Sequence, residues 1–430
     1  MSGFRTVRGM RDFLPKNAGK MRYVEGLSRE LALLYGYEEI ITPVVESYKL
    51  LAAKSGEEIR QRMYAFKDLG GRKVALRPEF TASIARLVTT KMRNEPKPMR
   101  LFCLGSLYRY DEPQYGRFRE FWQANYELIG SEKPEADAEI LTLTNDLIKR
   151  LGLRSYHFKI GHMGILRGIL SQEKVEEESQ NVIMQLLDKK RWEEALRVAE
   201  GCNVSEGCIK TLRKVFEMKG RESSRVLRRV KEEVKEYESA VAAVENLSDI
   251  LELVRDGGVE FEMAIEAGFA RGLEYYTGLI FEPYVPELGI ALGGGGRYDK
   301  LIELFGGEPT LAVGVAQGID RLVLAMKKQR ISPKIPEQKR VVLIPISDEL
   351  KAKAIELSLR LREAKIPAEI EVMGRTLSRA LEDADRKGAT HSILVGPDEL
   401  KEGKVVLRDM KKREQKAVEI RNLCKEICEA

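Results

Sequence analysis

The chain has 430 residues, 43% hydrophobic and 33% charged, which describes a soluble globular protein of two or three domains. Its net charge of +6 permits a polyanionic partner without demanding one, and no apolar run approaches the roughly 20 residues needed to span a bilayer. The five cysteines include no C-x-x-C pair, the three histidines make no zinc-like cluster, and the N-terminus has no signal-type apolar segment, so reduced thiols and a cytoplasmic location are expected.

Met21, Val24, Leu27, Leu31 and Leu34 recur at three- and four-residue steps, which predicts an amphipathic helix over residues 16–35, stopped by Gly36. A short strand over 39–43 should follow. Residues 99–129 read as two strands joined by a polar loop from Asp111 to Arg119, with Pro113 and Gly116 as turn-formers. From about Gly164 to Leu253 glycine nearly vanishes and apolar residues fall at helical spacing, predicting a separate all-helical segment. Strand patterns return over 261–267, 279–282, 289–292 and 311–315. A linker marked by Pro333 and Pro336 precedes strands at 341–346, 368–372 and 392–395 alternating with helices at 348–364 and 376–387, a small α/β domain.

Five constellations could carry chemistry. On the strand after residue 119, Arg119, Phe121, Gln123, Asn125 and Glu127 share one face, and Trp122, Ala124, Tyr126 and Leu128 the other. An isolated strand would leave the polar face in solvent, but Arg109 precedes the loop, and Arg, Gln and Glu together suit a ligand with an anionic and a cationic part. In Leu76-Arg77-Pro78-Glu79-Phe80-Thr81, Glu79 and Thr81 also make sense as caps of a following helix. Arg271 to Gly278 sets an arginine beside Tyr275 and Tyr276, readable as packed aromatics or as an anion site. Gly293 to Asp299 tempts as a phosphate loop but lacks the G-x-x-x-x-G-K-[ST] pattern. Gly314 to Arg321 runs from a strand into a helix, with Arg321 free to be a surface residue.

Together these segments resemble the histidyl-tRNA synthetase family along essentially the whole chain. Arg8-Gly9-Met10-Arg11-Asp12 resembles its N-terminal signature, and Pro43 the proline of class II motif 1. Tyr108-Arg109-Tyr110 through Arg117, Arg119, Gln123 and Glu127 resembles motif 2. Arg271 to Gly278 resembles the histidine-specific peptide, and Gly314 to Arg321 motif 3.

The resemblance implies an α/β fold, with a class II antiparallel sheet flanked by helices in the catalytic core (1–163 and 257–330). It further implies a helical insertion (164–256) and a C-terminal α/β anticodon-binding domain (338–430). It implies adenylation of L-histidine by ATP with Mg²⁺, transfer to tRNA-His, and a homodimer. By similarity Arg271 and Arg109 are catalytic, holding the α-phosphate and the histidine carboxylate, and Arg117 and Arg321 join Arg109 in binding ATP. Glu79, Thr81 and Gln123 would take the ammonium, and Glu127 and Tyr276 the imidazole, with Tyr275 beside them. Arg225, Arg228, Arg229 and Lys231 are candidate acceptor-stem contacts. Three positions depart from the family pattern: Glu274 for aspartate, Phe80 for a frequent glycine, and Trp122 for a frequent histidine. A synthetase-like regulatory subunit of ATP phosphoribosyltransferase, another class II synthetase or a pure RNA-binding protein are the competing readings.

Overall fold

The computed structural model describes residues 3–53, 56–272, 275–333 and 339–429. The chain divides into two compact units, Met1–Pro333 and Lys334–Ala430. In the first, α1 (Pro15–Leu34) opens on a proline, whose missing N–H costs nothing in a first turn, and Gly36 ends it at φ 76°. The next strand, β1 (Glu38–Glu39), is shorter than the predicted 39–43. Pairing runs on to Ile40, whose amide donates to the Phe102 carbonyl at 2.9 Å; beyond it the Arg77 guanidinium takes the Thr42 carbonyl at 2.6 Å, and Pro43 has no N–H to continue a ladder.

A small antiparallel sheet of β2 (Val45–Ser47), β3 (Ala65–Lys67) and β4 (Lys73–Leu76) follows, ordered β2-β4-β3, with α2 (Tyr48–Ala52) and α3 (Glu57–Gln61) between the first two. After α4 (Thr81–Thr90) come the two long predicted strands, β5 (Met99–Tyr108) and β6 (Glu120–Ile129), then α5 (Pro134–Arg150) and β7 (His157–His162). The helical stretch comprises α6 (Met163–Gln172), α7 (Glu177–Asp188), α8 (Trp192–Gly201), α9 (Glu206–Glu217), α10 (Ser223–Glu233) and α11 (Glu238–Asp256). It is interrupted by the two-residue β8 (Lys219–Gly220). Gly168 lets α6 approach α11 closely, since a Cβ there would meet the Ala240 nitrogen at 2.6 Å. Next are β9 (Met263–Glu266), β10 (Leu279–Tyr284), β11 (Gly293–Arg297), α12 (Leu301–Leu304), β12 (Ala312–Gly318) and α13 (Ile319–Lys328).

The predicted strand at 289–292 is corrected: the glycine run itself is β11. Glycine is a poor strand former, but β11 is paired on both sides, with β10 and with β12, and that pairing overrides local preference. The main sheet has nine strands ordered β1-β5-β6-β12-β11-β10-β7-β9-β8, antiparallel except at β1–β5 and β7–β9. One face carries Ala124, Tyr126 and Leu128 into a core shared with Val24 and Leu31 of α1 and Ile140 and Leu147 of α5. Each fully buried valine, leucine or isoleucine among them contributes roughly 1.5–3 kcal/mol. The other face of β6, β12, β11 and β10 is left for the site.

The second unit alternates β13 (Val341–Pro345), α14 (Lys351–Glu363), β14 (Ala368–Ile370), α15 (Leu377–Arg386) and β15 (His391–Val395), close to the predicted rhythm. After α16 (Pro397–Lys401), the unpredicted antiparallel strands β16 (Lys404–Asp409) and β17 (Glu414–Glu419) extend the sheet to the order β14-β13-β15-β16-β17, and α17 (Leu423–Glu429) follows. Among the described residues no helix is long and apolar enough to cross a membrane.

Candidate active site

A cleft with about 360 Å³ of free space lies on the open face of the main sheet. All ten site residues singled out in the sequence line it. Gln123 and Glu127 rise from β6, Glu79 and Thr81 from the start of α4, and Arg109 and Arg117 from the end of β5 and the loop after it. Arg271, Tyr275 and Tyr276 form the far wall, and Arg321 enters from α13.

The face parity of β6 holds, but its polar side is not in solvent. Glu127 is 1% exposed and Asn125 2%. Thr81 Oγ1 donates to Glu127 Oε1 at 2.8 Å, and the Tyr298 hydroxyl donates to Oε2. Burial nevertheless raises the Glu127 carboxyl to about 7. Gln123 Oε1 and Asn125 Oδ1 are buried with no hydrogen-bond partner among the described residues. Each such acceptor costs on the order of 1–3 kcal/mol, so the floor of the cleft is built for a donor-bearing ligand.

The glycine run proves to be neither a phosphate loop nor a turn. A Cβ at Gly294 would lie 1.9 Å from Arg271 Nη1, and one at Gly314 would lie 1.6 Å from Glu127 Oε2. Gly294 of β11 and Gly314 of β12 leave room at these two points for Arg271 and Glu127 to lie against the sheet. Arg297, at the end of the run, is locked on the Asp137 carboxylate, with Nε 3.1 Å from each oxygen.

Three half-buried arginines surround one cavity. Arg109 Nε donates to the Pro78 carbonyl at 2.9 Å, and burial lowers its pKa against the pull of Asp111 and Glu79. Arg321 Nη1 donates to the Ala291 carbonyl at 2.8 Å; burial, with Arg117 and Arg109 nearby, lowers its pKa to about 10. Burial also works against the charge on Arg271, but Glu282, Tyr276 and Asp188 overcome it and hold its pKa above the ordinary value. Arg271 Nη1 sits 2.6 Å from Glu282 Oε1. Arg117 is exposed at the rim. Carboxylates line the same cleft, so its charges are mixed, but arginines gathered from separate elements around one sheltered space suit an anion between them.

Glu79 is also a helix cap: its oxygens accept from the Thr81 and Ala82 amides at 3.0 and 2.9 Å, while burial raises its pKa. Tyr276 is buried with its ring centroid 4.9 Å from that of Tyr275. Sequence reasoning missed Glu282 and Tyr298. A lone carboxylate in the apolar run Leu279–Tyr284 was the available signal for the first. Tyr298 stood beside the glycine run that was weighed as a loop.

The other singled-out residues serve the frame. Arg119 is buried against the Tyr110 ring, and its amide donates to the Gly9 carbonyl at 2.9 Å. Arg11 pairs with Asp320, whose other oxygen accepts the Trp122 amide at 2.7 Å, so the N-terminal signature braces β6. Phe80 points into the core under the Arg77 guanidinium, away from the cleft, and Trp122 packs edge-on against Phe13. Glu274 lies outside the described residues. Arg225, Arg228, Arg229 and Lys231 are exposed on α10, away from the cleft, and Lys231 pairs with Glu245 at 2.7 Å. His162 is structural: its Nδ1 accepts the Gly164 amide at 3.1 Å, and burial lowers its pKa to about 4.

An antiparallel sheet flanked by helices, with arginines from the second and third signature segments meeting over its open face, is the catalytic architecture of a class II aminoacyl-tRNA synthetase. Residues 9–322 match the histidyl-tRNA synthetase family profile and residues 340–429 match an anticodon binding domain. The histidine–tRNA ligase of Methanocaldococcus jannaschii is 42% identical over 98% of both chains, and that of Thermococcus kodakarensis 40% identical over 98% of this chain and 97% of its own. The chain belongs to the histidyl-tRNA synthetase family. Among solved structures, the apo histidyl-tRNA synthetase of S. aureus superposes with a TM-score of 0.70 at 26% identity, covering 99% of this chain and all of that one. A protein of Bacillus halodurans described as an ATP phosphoribosyltransferase regulatory subunit/histidyl-tRNA synthetase gives 0.77 at 26% identity, covering 91% of this chain and 98% of its own.

Proposed function

We propose that the cleft activates histidine, with the residue roles set by its two unlike walls. The family uses ATP to form histidyl-adenylate and then charges tRNA with histidine. In the first step a histidine carboxylate oxygen attacks the α-phosphorus, the new P–O bond forms, and the bond to the β-phosphate oxygen breaks with its electrons leaving on diphosphate. Arg271 and Arg109 neutralise the charge that accumulates on the α-phosphate and hold the carboxylate, while Arg117 and Arg321 meet the outer phosphates and adenine. In the second step the terminal ribose hydroxyl of tRNA-His attacks the activated carbonyl and AMP leaves.

The observation that carries this reading is the buried wall of acceptors facing those arginines. Glu79, Thr81 and Gln123 receive the ammonium. Glu127 accepts from one imidazole nitrogen and Tyr276 pairs with the other, with Tyr275 closing the pocket. A side chain without both ring nitrogens leaves these groups unpaired, which supports discrimination of about 10⁴–10⁵ without editing.

Mg²⁺ is assigned to the nucleotide. Of the carboxylates lining the cleft, Asp111, Glu282 and Asp320 are engaged by Arg62, Arg271 and Arg11, which supports that assignment. Residues 164–256 are read as an insertion beside the acceptor stem, and the unit after the linker as the anticodon reader. Ile41, Val44 and Val45 flank Pro43 with exposed apolar side chains, which supports a homodimer through that segment. A cytoplasmic location goes with this role in translation.

Diphosphate exchange into ATP, measured with each amino acid in turn, tests the assignment. Histidine alone should stimulate exchange. Exchange with threonine or proline instead would overturn it, and no exchange together with tight binding to a phosphoribosyltransferase would make the chain a regulatory subunit.

A further inference from the structure

We infer that Asp188, the last residue of α7, is a positioning residue that sets the catalytic arginine by holding its neighbour's backbone, an inference that rests on the proposed role of Arg271. Asp188 Oδ2 accepts the Gly272 amide at 2.9 Å, one residue from Arg271. The contact joins the helical stretch to the cleft, for Asp188, Gln185 and Lys189 are among its lining residues. Gly272 is fitted to it: a Cβ there would stand 2.9 Å from the same oxygen.

Helix stability does not account for an aspartate at this place. The partial negative charge of a helix C-terminus disfavours a carboxylate there and favours the Lys189, Lys190 and Arg191 that follow it. The first turn, by contrast, carries the favourable Glu177 and Glu178. The cost at Asp188 is offset by what the carboxylate does across the cleft. It fixes the peptide that carries Arg271, and its charge adds to the field in which the arginine sits. The guanidinium is then steered from two sides, by Glu282 on its Nη1 and by Asp188 on its backbone.

Helix α7 is in turn anchored to α6: the Gln180 amide donates to Ser171 Oγ at 3.1 Å and to the Val175 carbonyl at 2.9 Å. A shift of the helical stretch is thereby felt at Arg271 through the Asp188–Gly272 hydrogen bond. Misplacing a reacting group by an ångström costs up to about a hundredfold in rate.

The test is histidine-dependent diphosphate exchange by the full chain, comparing Asp188→Ala, Asp188→Asn, Arg271→Ala and the Asp188→Ala/Arg271→Ala double variant. Asp188→Ala should lower kcat by about tenfold or more with the KM for ATP held within about twofold. Asp188→Asn keeps an acceptor oxygen and should restore most of the rate. In the double variant the Asp188 change should add nothing to the loss from Arg271→Ala, because both act through one group. An Asp188→Ala rate near that of the parent, an asparagine variant as slow as the alanine one, or losses that multiply would each overturn the inference. A parent-like rate for Arg271→Ala alone would instead remove the role of Arg271 on which it stands.

Discussion

Glu127 and Gly314 face each other across paired strands so closely that a Cβ at 314 would lie 1.6 Å from the Glu127 carboxylate. The carboxylate can occupy its place, between the hydroxyls of Thr81 and Tyr298, only because the neighbouring strand offers no side chain.

Gly314→Ala should therefore raise the KM for histidine by about tenfold or more while the KM for ATP moves little, since about 1.4 kcal/mol of lost binding corresponds to tenfold. Steady-state exchange kinetics over both substrates would show it, and equal effects on the two would argue against Glu127 as the imidazole partner.

The histidine dependence should also vary with pH. On the proposed reading Glu127 accepts an imidazole N–H, more strongly when ionised, and burial raises its carboxyl to about 7. Below that pH it is protonated and the KM for histidine should climb; above it the KM should level off. The imidazole of the substrate titrates near the same pH, so Glu127→Gln is the control: it should bind histidine more weakly throughout and show only the substrate's own titration.

Arg271→Ala should lower the exchange kcat by about 10²–10³ with a smaller change in the KM for ATP, the pattern of an interaction made mainly in the transition state. An unaltered rate would remove Arg271 from the chemistry.

The pair of Asp137 and Arg297 should govern stability rather than catalysis. Both side chains are almost fully buried, and removing the arginine strands a carboxylate in the core. Arg297→Ala should cost about 3–5 kcal/mol in urea unfolding, and removing both partners should cost less than removing the arginine alone.

Much of this site is legible in the chain itself. Alternation along β6 gives the cleft-facing set Gln123, Asn125 and Glu127 without any tertiary knowledge, because strand parity is local. The Pro-Glu-Phe-Thr start of α4 is likewise local, and its capping reading and its cleft reading both hold for Glu79. The glycine strand β11 is not legible, since its conformation is imposed by β10 and β12, far away in sequence, and glycine alone signals a turn. Glu282 escapes for a related reason. Its partner Arg271 is known only when β10 and the Arg271 peptide are side by side. Phe80 shows the limit of chain position: it stands between Glu79 and Thr81, both in the cleft, yet its own ring turns into the core.

The double duty of Glu79 has a consequence for reading any mutational scan. A carboxylate offers about four lone-pair directions, and two are already given to the Thr81 and Ala82 amides. On the proposed reading the pair left over accepts from the substrate ammonium, which would make the opening turn of α4 and the pocket wall one thermodynamic object. Slower amide exchange at Thr81 and Ala82 on adding histidine would report the pocket filling, and a Glu79 variant would fray the helix and loosen the substrate in the same stroke.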